Sequence, residues 1–135
     1  MEQKYIKGDI VMYDNRIHTI IDTLELNNYK LSYIRHTVHQ LELSGLPITF
    51  EILEKNGWKK EMMNRGVKNS HEVYIKPDIK EYGYFPIYIE KGIGKEFDVY
   101  PFTDNHICKQ IAYIKYIHQL QNILFGLGLN SKMKV

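Results

Sequence analysis

Residues 8–34, GDIVMYDNRIHTIIDTLELNNYKLSYI, decide how this chain is read. The stretch is rich in β-branched and aromatic residues and is cut twice by dipeptides that tolerate the left-handed backbone of tight turns. Asp14-Asn15 separates Ile10–Tyr13 from Ile17–Leu26, and Asn27-Asn28 separates that segment from Tyr29–Ile34. Within the last of these, Tyr29, Leu31 and Tyr33 alternate with Lys30 and Ser32, the period of a sheet buried on one face. Val38–Leu43 offers a fourth short strand. Four tightly connected strands in about 45 residues close most simply into a small barrel, because closure removes the exposed edges of a lone sheet.

The strand-like composition ends near Gly45, and a helix signal follows at 46–58, LPITFEILEKNGW. Thr49 is placed as an N-cap, and Glu51 complements the positive end of the helix dipole. Ile48 and Leu53 stand at the positions of a hydrophobic staple, and Gly57 suits the left-handed C-terminal conformation, with Trp58 folding back on Leu53. The spacing predicts a helix over 50–56. At about two turns it is too short to stand alone, so it must dock through Ile52 and Leu53.

Beyond it, EMMNRGVKNS at 61–70 is polar and without periodicity, and reads as an exposed loop. Strands are predicted at Glu72–Lys76, Phe85–Glu90 and Glu96–Tyr100. Pro86 marks the second as an edge strand, since proline cannot donate to a ladder, and Gly92-Ile93-Gly94 looks like the hairpin loop before the third. The C-terminal stretch admits two readings. Ile107, Ile111, Ile114, Leu120 or Gln121, Leu124 and Leu127 fit one long helix capped by Asp104, which periodicity slightly favours, whereas Ile111–Ile117 alternates like a strand. On either reading 118–127 is helical, with Leu120, Ile123, Leu124 and Leu127 on one face and Gly128 ending it, and the tail NSKMKV is loose.

A chain of 135 residues with 44% hydrophobic and 25% charged residues buries a core and forms one ordinary domain or two very small ones. No apolar run approaches the roughly 18 residues of a membrane span, because Lys115, His118, Gln119, Gln121 and Asn122 interrupt 111–129. MEQKYIKGD at the start lacks the apolar core of an export signal, and a single cysteine suits a reducing compartment. Both point to a reducing cytosol. A net charge of +2 is too small to steer nucleic acid over distance. Local charge is more telling: Lys55, Lys59, Lys60, Arg65 and Lys68 face only Glu61 between positions 55 and 68. Eleven tyrosines are many for this length. They suit half-buried pleated surfaces, and in exposed positions they suit an aromatic platform for a partner.

Two runs carry a family resemblance: LPITFEILEKNGW at 46–58 and KYIHQLQNILFGLG at 115–128. They resemble a group of small uncharacterised proteins from phages and mobile elements of gut anaerobes. In that group a short barrel-like start leads to an IPLT-type helix and the chain closes with a YVHQLQ-type segment. GDIVMYDNRIHTII is similar to the start of those proteins. The resemblance implies a strand rather than a helix at Ile111–Ile117, a short helix from His118, and a phage or prophage origin. It implies no activity.

Catalytic and metal-binding patterns fail on spacing. His36 and His39 in HTVH would face opposite sides of a strand and lack further ligands, and His106 near Cys108 adds no zinc pattern. GIGK at 92–95 has Ile89 where a phosphate loop needs glycine and Glu96 where it needs Ser or Thr. Neither Cys108 nor Ser32, Ser44 or Ser70 lies in a nucleophile motif. No catalytic residue, metal or cofactor is therefore expected. In HQLQN, His118 and Asn122 are spaced to cap backbone groups where strand meets helix, and His118, Gln119 and Gln121 otherwise offer a polar recognition surface.

The expected fold is α+β: an SH3-like β-barrel over 1–45, then helix, antiparallel sheet and C-terminal helix over 46–135. The expected role is non-enzymatic binding of a protein, a virion subunit or a host component such as a defence protein. The contact surface would be drawn from exposed tyrosines, Tyr82 and Tyr84 among them, and the 61–70 loop. Nucleic-acid binding is the runner-up, with Lys59, Lys60, Arg65 and Lys68 meeting phosphate and Trp58 stacking on a base. A third reading, sequestration of a small ligand or nucleotide, needs pockets between subunits of a homo-oligomer.

Overall fold

Asp14 and Asn15 adopt φ values of 49° and 60°. The two-residue turn they make joins β1 (Ile10–Tyr13) to β2 (Arg16–Thr23), with Ile10 opposite Thr19 and Tyr13 opposite Arg16. Paired left-handed residues match the right-handed twist of the strands they connect, which is why Asp-Asn serves here. The computed structural model describes residues 2–64, 70–76, 87–92, 94, 96–101 and 112–135. The chain divides into two compact units, Met1–Pro47 with Tyr116–Lys132 and Ile48–Lys115 with Met133–Val135. Among the described residues, two five-stranded antiparallel sheets and two α-helices make an α+β fold.

In the first unit the hairpin is extended by β3 (Asn28–Leu31), β4 (Val38–His39) and β5 (Ser44–Gly45), giving the strand order β4-β3-β2-β1-β5. The second turn departs from the expected Asn27-Asn28. Leu26 and Asn27 are the left-handed pair, both at φ 57°, and Asn28 is already the first residue of β3. Tyr5, Val11, Ile20, Tyr29, Leu31, Val38 and Leu43 form the core, with Tyr13 and Ile34 packed against it. Residues 40–42 are not strand but one turn of 3-10 helix, capped by the His39 side chain, which accepts from Leu41 N at 3.1 Å.

The C-terminal helix α2 (Ile117–Gly126) belongs to this first unit rather than to residues 46–135 as expected. Its buried residues Ile117, Leu120, Gln121 and Leu124 recur at i, i+3, i+4 and i+7, with His118 beside them at i+1, so one face is committed to the sheet. Ile117 N donates to Leu46 O at 2.8 Å, and Gly45 admits the Tyr116 ring: a Cβ there would stand 2.4 Å from Tyr116 Cγ.

In the second unit Thr49 caps α1 (Phe50–Lys55) by accepting from Ile52 N at 3.2 Å. Gly57 takes φ 87°, and Trp58 N returns to Leu53 O at 3.0 Å, so the chain turns back as the Gly-Trp pair predicts. The sheet is a meander of β6 (Lys59–Asn64), β7 (Ser70–Ile75), β8 (Ile87–Lys91), β9 (Phe97–Pro101) and β10 (Ala112–Ile114), in the order β10-β9-β8-β7-β6. Both faces are apolar. Val73, Ile75 and Tyr88 cluster on one, with Tyr100 stacked on Tyr88 at 5.1 Å. Phe50 of α1 covers the other, stacking on Tyr74 at 5.3 Å and meeting Phe97 edge-on at 5.8 Å.

Three expectations give way to the structure. Glu61–Asn64 and Ser70 are not loop: they lie in a continuous ladder that pairs Lys59 with Ile75 and Asn64 with Ser70. The ladder supplies partners that the local sequence cannot show. The strand expected at the edge, β8, is interior between β7 and β9, and Pro86 lies outside the described residues. The tail is tied down rather than loose, because the Asn56 amide accepts from Lys134 N at 2.7 Å and donates to Lys134 O at 2.6 Å. At 112–114 the chain is a strand, as the resemblance implied. Gly92 N bonds Glu96 O at 3.0 Å, closing the expected β8–β9 hairpin; Ile93 lies outside the described residues. Among the described residues no helix is long and apolar enough to cross a membrane.

Candidate functional site

The first unit contains polar groups where a small barrel would ordinarily place only hydrocarbon. Gln121, 4% exposed, projects from α2 and spans the interior. Its Oε1 accepts from Ile10 N at 2.9 Å, and its Nε2 donates to Gly8 O at 3.0 Å and Ser131 O at 3.1 Å. These three backbone groups have no ladder partner in hand, so the amide takes the place of a short strand. Gln119 accepts from Tyr116 N at 3.0 Å and fixes the start of the helix. Capping at the strand–helix junction is therefore carried by Gln119, not by His118 and Asn122 as their spacing predicted, while Gln121 serves backbone groups at Gly8, Ile10 and Ser131. His118 is 4% exposed, wedged between Tyr5 (ring centroids 5.0 Å) and Tyr116 (5.8 Å). Burial, with the charge of Lys4 adding to it, lowers its pKa to about 4, so the imidazole is neutral at physiological pH. Buried in this way, neither His118 nor Gln121 presents a recognition surface.

Asp9, which sequence reasoning passed over, is 1% exposed. Its Oδ2 accepts from Ile6 N at 2.9 Å, and among the described residues it has no ion-pair partner. Desolvation raises its pKa to about 6, against the lowering effect of that one hydrogen bond. Asp9 lines a cavity of about 350 Å³ with Ile6, Lys7, Gly8, Gln121, Asn122, Phe125 and Ser131. Asn122 Oδ1 is buried without a hydrogen-bond partner. A second polar cluster, Tyr29 and Gln40, is satisfied: Tyr29 Oη donates to Gln40 Oε1 at 2.6 Å, and Gln40 Nε2 donates to Glu2 O at 3.0 Å.

On the surface of this unit Tyr33 stands out. Alternation predicts that it shares the buried face of Tyr29 and Leu31, yet it is 97% exposed. The strand ends at Leu31, and Tyr33 adopts φ 65°, which swings the ring outward. Ser32 locks the segment: its N donates to Thr19 O at 2.9 Å, and its Oγ accepts from Thr19 N at 2.9 Å. Beside it in the chain, Ser32 O contacts His18 Nδ1 at 2.7 Å, while Tyr13 Oη lies 3.3 Å from His36 Nε2. The Tyr13 ring meets both imidazoles edge-on at 5.9 and 6.1 Å. His36 and His39 thus serve different partners.

In the second unit two residues of the basic segment, Lys59 and Lys60, open β6. Lys59 and Lys60 are exposed on this edge strand. Lys60 pairs with Glu72 at 3.5 Å and lies over the rings of Phe50 (5.6 Å) and Tyr74 (6.0 Å). Trp58 is 2% exposed, so its indole offers no face to a base. Arg65, Lys68, Tyr82 and Tyr84 lie outside the described residues, as do His106, Cys108 and Lys95 of GIGK. Among the described residues no group of three or more His, Cys, Asp or Glu side chains is placed to hold a metal.

Comparison of the chain with known protein families, with characterised proteins and with solved structures finds no match.

Proposed function

We propose that the chain is a non-enzymatic protein-binding module whose first unit is an SH3-like barrel and whose contact surface centres on Tyr33. Five short antiparallel strands, with a 3-10 turn before the last, support the barrel reading. The exposure of Tyr33 at φ 65° carries the functional one. A bulky residue in the left-handed region costs about 1–3 kcal/mol, and such strain is retained at sites that use it. Tyrosine brings a large rigid ring and a wet hydroxyl, the profile of an interface anchor. The phage or prophage origin implied by the resemblance makes the partner a virion subunit or a host protein. The nucleic-acid reading is weaker, because Trp58 is buried and Lys60 is already paired with Glu72.

The experiment is site-specific photo-crosslinking in the native host, with a benzophenone amino acid replacing Tyr33. A discrete protein adduct, resistant to nuclease and displaced by excess unmodified protein, is expected. No adduct, or one that nuclease removes, overturns the reading. Tyr33→Gly separates function from folding. Glycine adopts φ 65° without strain, so this variant should be at least as stable as the parent in urea yet lose the partner.

A further inference from the structure

The cavity in the first unit is not needed by the Tyr33 surface, and its chemistry is unbalanced. Its walls at Ile6 and Phe125 are apolar. Two of its acceptors are short of donors: the Asp9 carboxyl, which accepts only from Ile6 N, at Oδ2, and Asn122 Oδ1, buried with no partner. The Gln121 donors that border it are consumed by Gly8 O and Ser131 O. A buried carboxylate with no counter-charge is among the costliest arrangements in a protein interior, and a buried amide oxygen with no donor adds to it. Native interiors carry a few such groups, each with a reason.

We propose that this cavity is a binding site for a small organic cation, a primary ammonium on a short apolar body, with Asp9 as its counter-charge and Asn122 Oδ1 as a second acceptor. An ammonium has three donors and no acceptor, the complement of what the cavity presents. An apolar stem of a few carbons matches Ile6 and Phe125. About 350 Å³ sits at the low end of small-molecule sites, so the ligand is of metabolite size. An anionic ligand is disfavoured, because it would bring a second negative charge against Asp9. Lys7 also lines the cavity but is an exposed residue, so its ammonium can stay in water while its stem flanks the entrance.

Binding should follow the ionisation of Asp9. The ionisable groups around it are Lys7 at the cavity and Tyr5, whose phenol pKa is raised by burial first and by the Asp9 charge among lesser causes. The raised Tyr5 phenol does not ionise near neutrality, and His118 on α2 titrates lower, at about 4. Affinity should therefore fall as pH drops through about 6, where the free carboxyl takes up its proton.

The test is NMR titration of the full chain with n-butylammonium, with 1-butanol and butyrate as controls. Saturable shifts confined to residues 6–9, 121, 122, 125 and 131 are expected with the ammonium alone, weaker at pH 5 than at pH 7. Asp9→Asn keeps an acceptor for Ile6 N and should weaken binding at least about tenfold. Asn122→Ala removes an oxygen that bonds nothing, so it should weaken binding severalfold while the fold persists. Nα-acetyl-lysine methylamide distinguishes sources: if it binds like butylammonium, a lysine of a polypeptide can fill the site, and if not, a free amine does. Absence of saturation, equal shifts with butanol, or unchanged affinity in Asp9→Asn would overturn the proposal.

Discussion

Replacing Asp9 with Asn should turn a stability that is nearly flat between about pH 4 and pH 6.5 into one that rises with pH. Two buried groups of the same unit have titrations that oppose each other. Asp9 has its pKa raised from 3.8 to about 6, so between those values the native state holds a proton that the unfolded chain has released. Stability then falls as pH rises, by about 3 kcal/mol across that interval. His118 has its pKa lowered from 6.5 to about 4, so in that range the unfolded chain holds the extra proton and stability rises with pH by a similar amount. In the parent protein the two slopes cancel. Asp9→Asn leaves the rise alone, and His118→Phe, which keeps a ring between Tyr5 and Tyr116, leaves the fall alone. The assay is urea unfolding in half-unit pH steps, followed through amide resonances of the first unit, because Trp58 reports on the second. The three proteins differ only at positions 9 and 118, so the differences between their profiles isolate the pair. Parallel pH profiles for the three would refute the burial argument for both groups.

Two further outcomes follow from the packing of α2. Gln121→Leu preserves volume but strands Ile10 N, which is buried, and removes donors from Gly8 O and Ser131 O, which water can reach; the buried group alone should cost about 1–3 kcal/mol, and a change under about 1 in urea would show that the amide holds nothing. Gly45→Ala should cost about 1–3 kcal/mol, since its Cβ would meet Tyr116 Cγ at 2.4 Å, and a double-mutant cycle with Tyr116→Ala should show strong non-additivity.

Legibility in the sequence followed the distance over which each feature is decided. Thr49 and Gly57 bracket a helix because the groups they satisfy lie within four residues, and the structure shows both devices working. The Asp14-Asn15 turn was readable for the same reason. Tyr33 was not, because alternation continues through Ser32 and nothing local says that the strand stops at Leu31; the pairing of Ser32 with Thr19 ends it. Of the candidate residues, Trp58 folds back on Leu53 as the sequence predicts, which leaves no face for the alternative stacking role, and burial takes Gln121 out of the recognition surface.

What the sequence by itself determined is the set of local elements: the first hairpin, the capped helix over 50–55, the amphipathic helix over 117–126 and most of the strands. These rest on φ/ψ preference, capping chemistry and hydrophobic period, all of which act between near neighbours. Tertiary structure decided the rest. KKEMMN at 59–64 became a strand because β7 offers it a six-residue ladder, and α2 joined the N-terminal unit through its buried face and through Gln121, which meets Ile10 across 111 positions of sequence. Asp9 reads in the sequence as an ordinary polar residue after a glycine. Its isolation from water comes from side chains and a helix that the chain delivers more than a hundred residues later, and a charge environment assembled from both ends of a chain leaves no mark on either end alone.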